Sequence, residues 1–168
     1  NGGAIITDYK IEYADSSGSY QLFVDGVNAA TVASVTQLVN GETYTFRVTP
    51  ITLAGDGIAA VSSPYMPVGE PESPTSPQAV AGPNNEEITL SWTAPSSNGG
   101  APITGYSIQY RLPPSSSWQG PVSVADPNAT SLQIPNLQKD RLYEFRVAAE
   151  NSEGVGAYSS VTSATPFG

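Results

Sequence analysis

Leu137-Gln138-Lys139-Asp140-Arg141-Leu142-Tyr143-Glu144-Phe145-Arg146-Val147 constrains the fold of this chain more than any other stretch. Tyr143, Phe145 and Val147 alternate with Leu142, Glu144 and Arg146, so one face is apolar and the other mostly polar. A period of two marks a half-buried β-strand. Leu137 lies six residues before Tyr143, across a polar turn, where it can plug the end of the same core. The pattern returns 99 positions earlier as Leu38-Val39-Asn40-Gly41-Glu42-Thr43-Tyr44-Thr45-Phe46-Arg47-Val48, with Leu, Tyr, Phe, Arg and Val in register. A repeat of this length is a whole domain rather than a solenoid unit.

The rest of the chain follows the same division. Asn1-Gly2-Gly3-Ala4-Ile5-Ile6-Thr7-Asp8-Tyr9-Lys10-Ile11-Glu12-Tyr13 matches Asn98-Gly99-Gly100-Ala101-Pro102-Ile103-Thr104-Gly105-Tyr106-Ser107-Ile108-Gln109-Tyr110. In each copy a Gly-rich loop feeds a strand with Tyr, Ile and Tyr on one face. The spacing predicts further strands in the first copy at 20–24, at 31–38 with Ala33 and Val35 inward, and at 58–63. Five prolines between Pro64 and Pro77 remove ladder donors and favour extended backbone. The predicted boundaries are therefore 1–67, a proline-rich linker at 68–75, and 76–168. In the second copy, Gln78 to Ala81 reads as an opening edge strand, and Ile88, Leu90 and Trp92 alternate with Thr89, Ser91 and Thr93 around a buried indole. Further strands are expected at 103–112, 117–124, 130–134, 142–149 and 157–165. Seven short strands with frequent turn signals predict an antiparallel sandwich.

At this point the residues resemble a family. Trp92, Thr93-Ala94-Pro95, Asn98 to Tyr106, Leu137 with Tyr143 to Val147, and Ala149-Glu150-Asn151-Ser152-Glu153-Gly154-Val155-Gly156 together resemble fibronectin type III domains. The resemblance implies an all-β fold of two immunoglobulin-like sandwiches in tandem. The Asn-Gly-Gly lead-in loop resembles bacterial and viral members more than vertebrate matrix ones. The family's tyrosine corner implies that the Tyr44 and Tyr143 hydroxyls meet backbone in the preceding turn. The expected core is Trp92, Tyr106, Ile108, Leu137, Tyr143 and Phe145 in the second copy, and Tyr9, Ile11, Leu38, Tyr44 and Phe46 in the first. Everything equivalent to Ser76 through Ser97, two strands that include the match to Trp92, has no counterpart before Asn1. The expectation is an incomplete first domain. Its missing strands belong to a longer polypeptide or are donated by another chain.

The chemistry-bearing residues are few. With neither His nor Cys, the chain lacks the commonest general base and metal ligand, and no nucleophilic triad assembles. Glu86 and Glu87 are expected on opposite faces of a strand start, as solvated charges. Glu70 and Glu72 could approach a calcium ion, but no Asp-rich loop completes its six to eight oxygens. No cofactor is expected. A formal charge of −9 disfavours nucleic acid and anionic membrane surfaces, and no apolar run approaches the ~20 residues of a membrane span. Trp118 is the candidate ligand contact: an exposed indole could stack on a sugar or anchor a protein, while a structural indole would cover the third strand's outer face. Asn128-Ala129-Thr130 is a formal glycosylation sequon. Ser152-Glu153-Gly154 stands where some relatives carry an integrin-binding Arg-Gly-Asp.

The reading is of a non-enzymatic spacer or adhesion module in a larger extracellular, secreted or cell-surface protein. Its partners would be neighbouring domains of the same polypeptide, other protein chains or glycans. The alternatives are a virion component, such as a phage tail, fibre or capsid-surface domain pair, and a carbohydrate-binding accessory of a secreted glycoside hydrolase.

Overall fold

The computed structural model describes residues 3–168, so the match of Asn1-Gly2 to Asn98-Gly99 lies outside the described residues. These contain strands and no helix, and they form two compact units, one running to Pro67 and the other from Val68 to Gly168.

The first unit is a single antiparallel sheet. It comprises β1 (Ile6–Ala14), β2 (Gln21–Phe23), β3 (Thr45–Thr52), β4 (Gly55–Asp56) and β5 (Ala60–Val61), in the order β2-β1-β3-β4 with β5 also on β3. The second unit has two sheets. One is β10 (Ser131–Ile134), β7 (Ile88–Thr93) and β6 (Thr75–Ala81), in that order. The other is β12 (Gly154–Val155), β11 (Tyr143–Asn151), β8 (Gly105–Arg111) and β9 (Gln119–Val124), with β13 (Thr162–Ala164) also on β11.

The repeat seen in sequence holds at the level of individual pairs. Ile11 opposes Val48 and Tyr13 opposes Phe46, as Ile108 opposes Val147 and Tyr110 opposes Phe145. The turn before each tyrosine matches as well. Gln37 and Asn136, then Gly41 and Asp140, take left-handed φ at the same steps. Each tyrosine hydroxyl then accepts a backbone N–H five residues back, Val39 N to Tyr44 Oη and Gln138 N to Tyr143 Oη, both at 3.0 Å.

Side-chain alternation builds the core of the second unit. Ile88, Leu90 and Trp92 of β7 face Tyr106 and Ile108 of β8 and Tyr143, Phe145 and Val147 of β11, with Leu137 closing one end. The Trp92 and Tyr106 rings are tilted together at 5.1 Å between centroids, inside the range where aromatic pairs attract. The Trp92 indole N–H has no acceptor.

Three expectations are corrected. Residues 31–38 form no strand. Their counterpart, β10, pairs with β7, and no strand equivalent to β7 lies among the described residues of the first unit. Alternation without a partner therefore leaves this segment irregular. The first-unit core is accordingly thinner than predicted: Ile11 and Tyr44 are buried, whereas Tyr9, Leu38 and Phe46 are only half-buried. Finally, residues 68–75, expected as a short semi-rigid linker, belong to the second unit. Pro71 and Pro74 are buried, Gly69 N bonds Gly99 O, Glu72 N bonds Ser97 O, and β6 already begins at Thr75.

Candidate functional site

Among the described residues no group of three or more Asp, Glu, His or Cys converges. Glu72 accepts a hydrogen bond from the Ser96 hydroxyl at 2.5 Å. Glu87 is not the solvated charge expected from sequence. The reason is local: Glu86 takes a left-handed φ, which folds the next side chain inward under the turn. Glu87 is buried there, with one carboxylate oxygen accepting from Asn84 Nδ2 at 3.1 Å and the other lacking a partner.

Trp118 has a structural engagement. β8 and β11 turn Gln109, Arg111, Glu144 and Arg146 toward the outer face, and antiparallel pairing sets Arg111 opposite Glu144 and Gln109 opposite Arg146. Arg111 Nε donates to Glu144 at 2.6 Å, and Arg146 donates twice to Gln109 Oε1, at 3.0 and 2.6 Å. The Arg146 guanidinium stacks on both the Trp118 and the Tyr158 ring, 4.3 Å from each centroid, and Arg111 lies 4.6 Å from the Trp118 centroid. Cation–π contacts at such sites contribute roughly 0.5–1 kcal/mol each. The half-buried indole thus covers the outer face and is stacked by arginines of its own chain.

The first unit repeats the device. Arg47 makes a two-pronged contact with Glu12, both bonds 2.8 Å, and lies 4.2 Å from the Tyr20 ring centroid. The arginine of the repeated Phe-Arg-Val triplet is the residue whose role sequence reading missed, although its return at the same step was the available signal. The Arg47 hydrogen bonds hold the Glu12 carboxyl below its ordinary value of 4.5. A lowered folded-state value means that the pair's contribution is complete above the ordinary value and is lost as pH falls through the lowered one. An NMR titration of Glu12 should therefore show a midpoint below 4.5, and Arg47→Ala should move it upward.

The loop at 151–156 is held by Asn151. Its buried amide donates to Gly69 O and Asn98 O, both at 2.8 Å, while its oxygen accepts from Glu153 N and Gly154 N. One side chain thus ties three loops together. Asn151→Ala is expected to cost about 1–3 kcal/mol, because it leaves partly buried backbone groups of three loops without their partner. Urea unfolding followed by circular dichroism measures it.

On the other face of the first unit's sheet lies an open apolar groove of about 330 Å³, lined by Tyr9, Ile11, Phe46 and Val48 and by residues 30–33 with Val35. The same face of the second unit is closed by β6, β7 and β10.

Comparison with known proteins fits this geometry. The fibronectin type III domain family matches residues 72–165. The chain belongs to the fibronectin type III family. It is similar to titin of Drosophila melanogaster, 32% identical over 162 residues that cover 94% of this chain and 1% of that protein. It is also similar to protein sidekick-1 of Gallus gallus, 31% identical over 166 residues, covering 95% and 8% respectively. The chain thus spans a small part of the length of these relatives. Among solved structures, the Caenorhabditis elegans twitchin kinase region is 32% identical at a TM-score of 0.50, covering 55% of this chain and 16% of that one. The chicken CNTN1 FN1-FN3 domains share the fold at a TM-score of 0.56 and 20% identity, covering 96% and 58%. These relatives are animal proteins, and they say nothing of the bacterial or viral style of the lead-in loop.

Proposed function

We propose that this chain is a non-enzymatic spacer or adhesion module, made of two fibronectin type III units in tandem within a larger multidomain extracellular protein. The observation that carries the reading is the pair-for-pair repetition of one sheet in both units, down to the tyrosine hydroxyl bonds and the arginine–aromatic stacks. The conspicuous polar groups of these sheets are engaged in holding the units together. Titin and sidekick-1 support the reading through their length, since this chain matches 1% of one and 8% of the other. The carbohydrate-binding alternative needs a free aromatic platform, and the Trp118 ring is stacked by Arg111 and Arg146. The virion alternative draws no support from the animal relatives. Neighbouring domains of the same polypeptide are the primary partners, with other protein chains next.

A swap in the parent polypeptide tests the proposal. Replacing residues 68–168 with an unrelated β-sandwich of equal span should preserve the parent's function if the unit is a spacer. Loss of binding to other cells or proteins in that swap, with folding intact, would assign it the adhesive role. Loss of a chemical turnover would overturn the proposal.

A further inference from the structure

We infer that Asn128, on the turn between β9 and β10 of the second unit, is an acceptor site for an N-linked glycan. The inference rests on the extracellular reading above, because this modification belongs to secreted proteins.

The chemistry asks for an Asn amide and a Ser or Thr hydroxyl two residues on, with any residue but Pro between them. Asn128-Ala129-Thr130 is the one such triplet in the chain. Its counterpart in the first copy, counted back from Leu38 as from Leu137, is Ala29-Ala30-Thr31, which keeps the hydroxyl and lacks the amide. In the transfer, Asn128 Nδ2 forms a bond to the anomeric carbon of a sugar. The bond from that carbon to the diphosphate of a lipid-linked oligosaccharide breaks. The diphosphate leaves with the electron pair, and the amide nitrogen gives up one proton.

The fold leaves this triplet open to the reaction and able to carry its product. Asp126 builds the turn: its carboxylate accepts the Asn128 N–H at 2.9 Å, and its carbonyl accepts the Ala129 N–H at 3.2 Å. At the far end, the Thr130 carbonyl accepts the Trp92 N–H at 2.9 Å and fixes the triplet to the start of β10. Asn128 and Thr130 are exposed, whereas Ala129 is half-buried and packs against the core cluster. The middle residue therefore anchors the turn while the two reactive side chains face water. Among the described residues neither the Asn128 amide nor the Thr130 hydroxyl has a hydrogen-bond partner, so a glycan displaces no contact of the fold. Asn151 is the contrast. It is buried, its side chain makes four hydrogen bonds, and Glu153 stands where the hydroxyl would be required.

The test directs the full chain into the secretory pathway of cultured animal cells with a cleavable leader and reads its intact mass in medium and cell extract together. A single oligosaccharide is expected above the 17.4 kDa of the bare chain, and an amidase specific for N-linked glycans should remove it. Asn128→Gln and Thr130→Ala should each return the bare mass, while Thr130→Ser keeps the glycan. Because neither side chain holds the fold, the far-ultraviolet circular dichroism of both variants made in bacteria should match that of the unsubstituted chain. An unsubstituted chain found only at the bare mass would overturn the inference, and so would an amidase-sensitive mass that persists in Asn128→Gln. The parent polypeptide taken from its own source separates this result from the extracellular reading. A bare Asn128 there, beside a glycosylated directed chain, would overturn that reading and uphold the acceptor site.

Discussion

Trp92→Ala is expected to destabilise the second unit by about 3–5 kcal/mol, a large share of the roughly 5–15 kcal/mol that holds a domain together. The indole is 4% exposed and packs within the cluster formed by Tyr106, Ile108, Tyr143, Phe145 and Val147. It bridges the two sheets, so truncation opens a cavity that neither sheet can close without losing register. Trp92→Phe should behave differently. The indole N–H has no acceptor, and a phenyl ring removes that unsatisfied donor while keeping most of the packing. Its cost should stay below about 2 kcal/mol. Chemical denaturation followed by far-ultraviolet circular dichroism compares the two variants. An unchanged midpoint for the alanine variant would refute the placement of the indole as a bridge between sheets.

The parts of this fold that were legible in sequence are those governed by a period of two. The Tyr-Glu-Phe-Arg-Val run could belong only to a half-buried strand, and its recurrence fixed the division into two copies. The tyrosine corners were legible only through the resemblance to the family, which carries one at this step. The rest depended on contacts between distant segments. Residues 31–38 carry strand alternation, yet a strand exists only where a neighbour accepts its hydrogen bonds, and sequence does not display a missing neighbour's effect. Trp118 was visible as an aromatic residue, but its stacking depends on Arg111 and Arg146 being brought beneath it by the pairing of β8 with β11. Asn151 looked like one polar loop residue among several. Two of its four hydrogen bonds reach Gly69 and Asn98, far away in sequence. Glu87 escaped because a left-handed Glu86 reverses the face that simple alternation would assign.

Phe145→Ala and Phe46→Ala form a matched pair, since the two rings occupy the same step of the same sheet. Each opposes a tyrosine on the neighbouring strand, Tyr110 in one unit and Tyr13 in the other. Phe145 is fully buried, so its truncation should cost about 3–5 kcal/mol. Phe46 is half-buried on an open face, where truncation forfeits only the part of the ring already shielded from water. Its cost should be below about 2 kcal/mol. Native-state hydrogen exchange resolves the two, because amides of β11 and β3 report the opening of their own units. A penalty for Phe46→Ala that equals that of Phe145→Ala would mean that the first unit closes over its own sheet in solution.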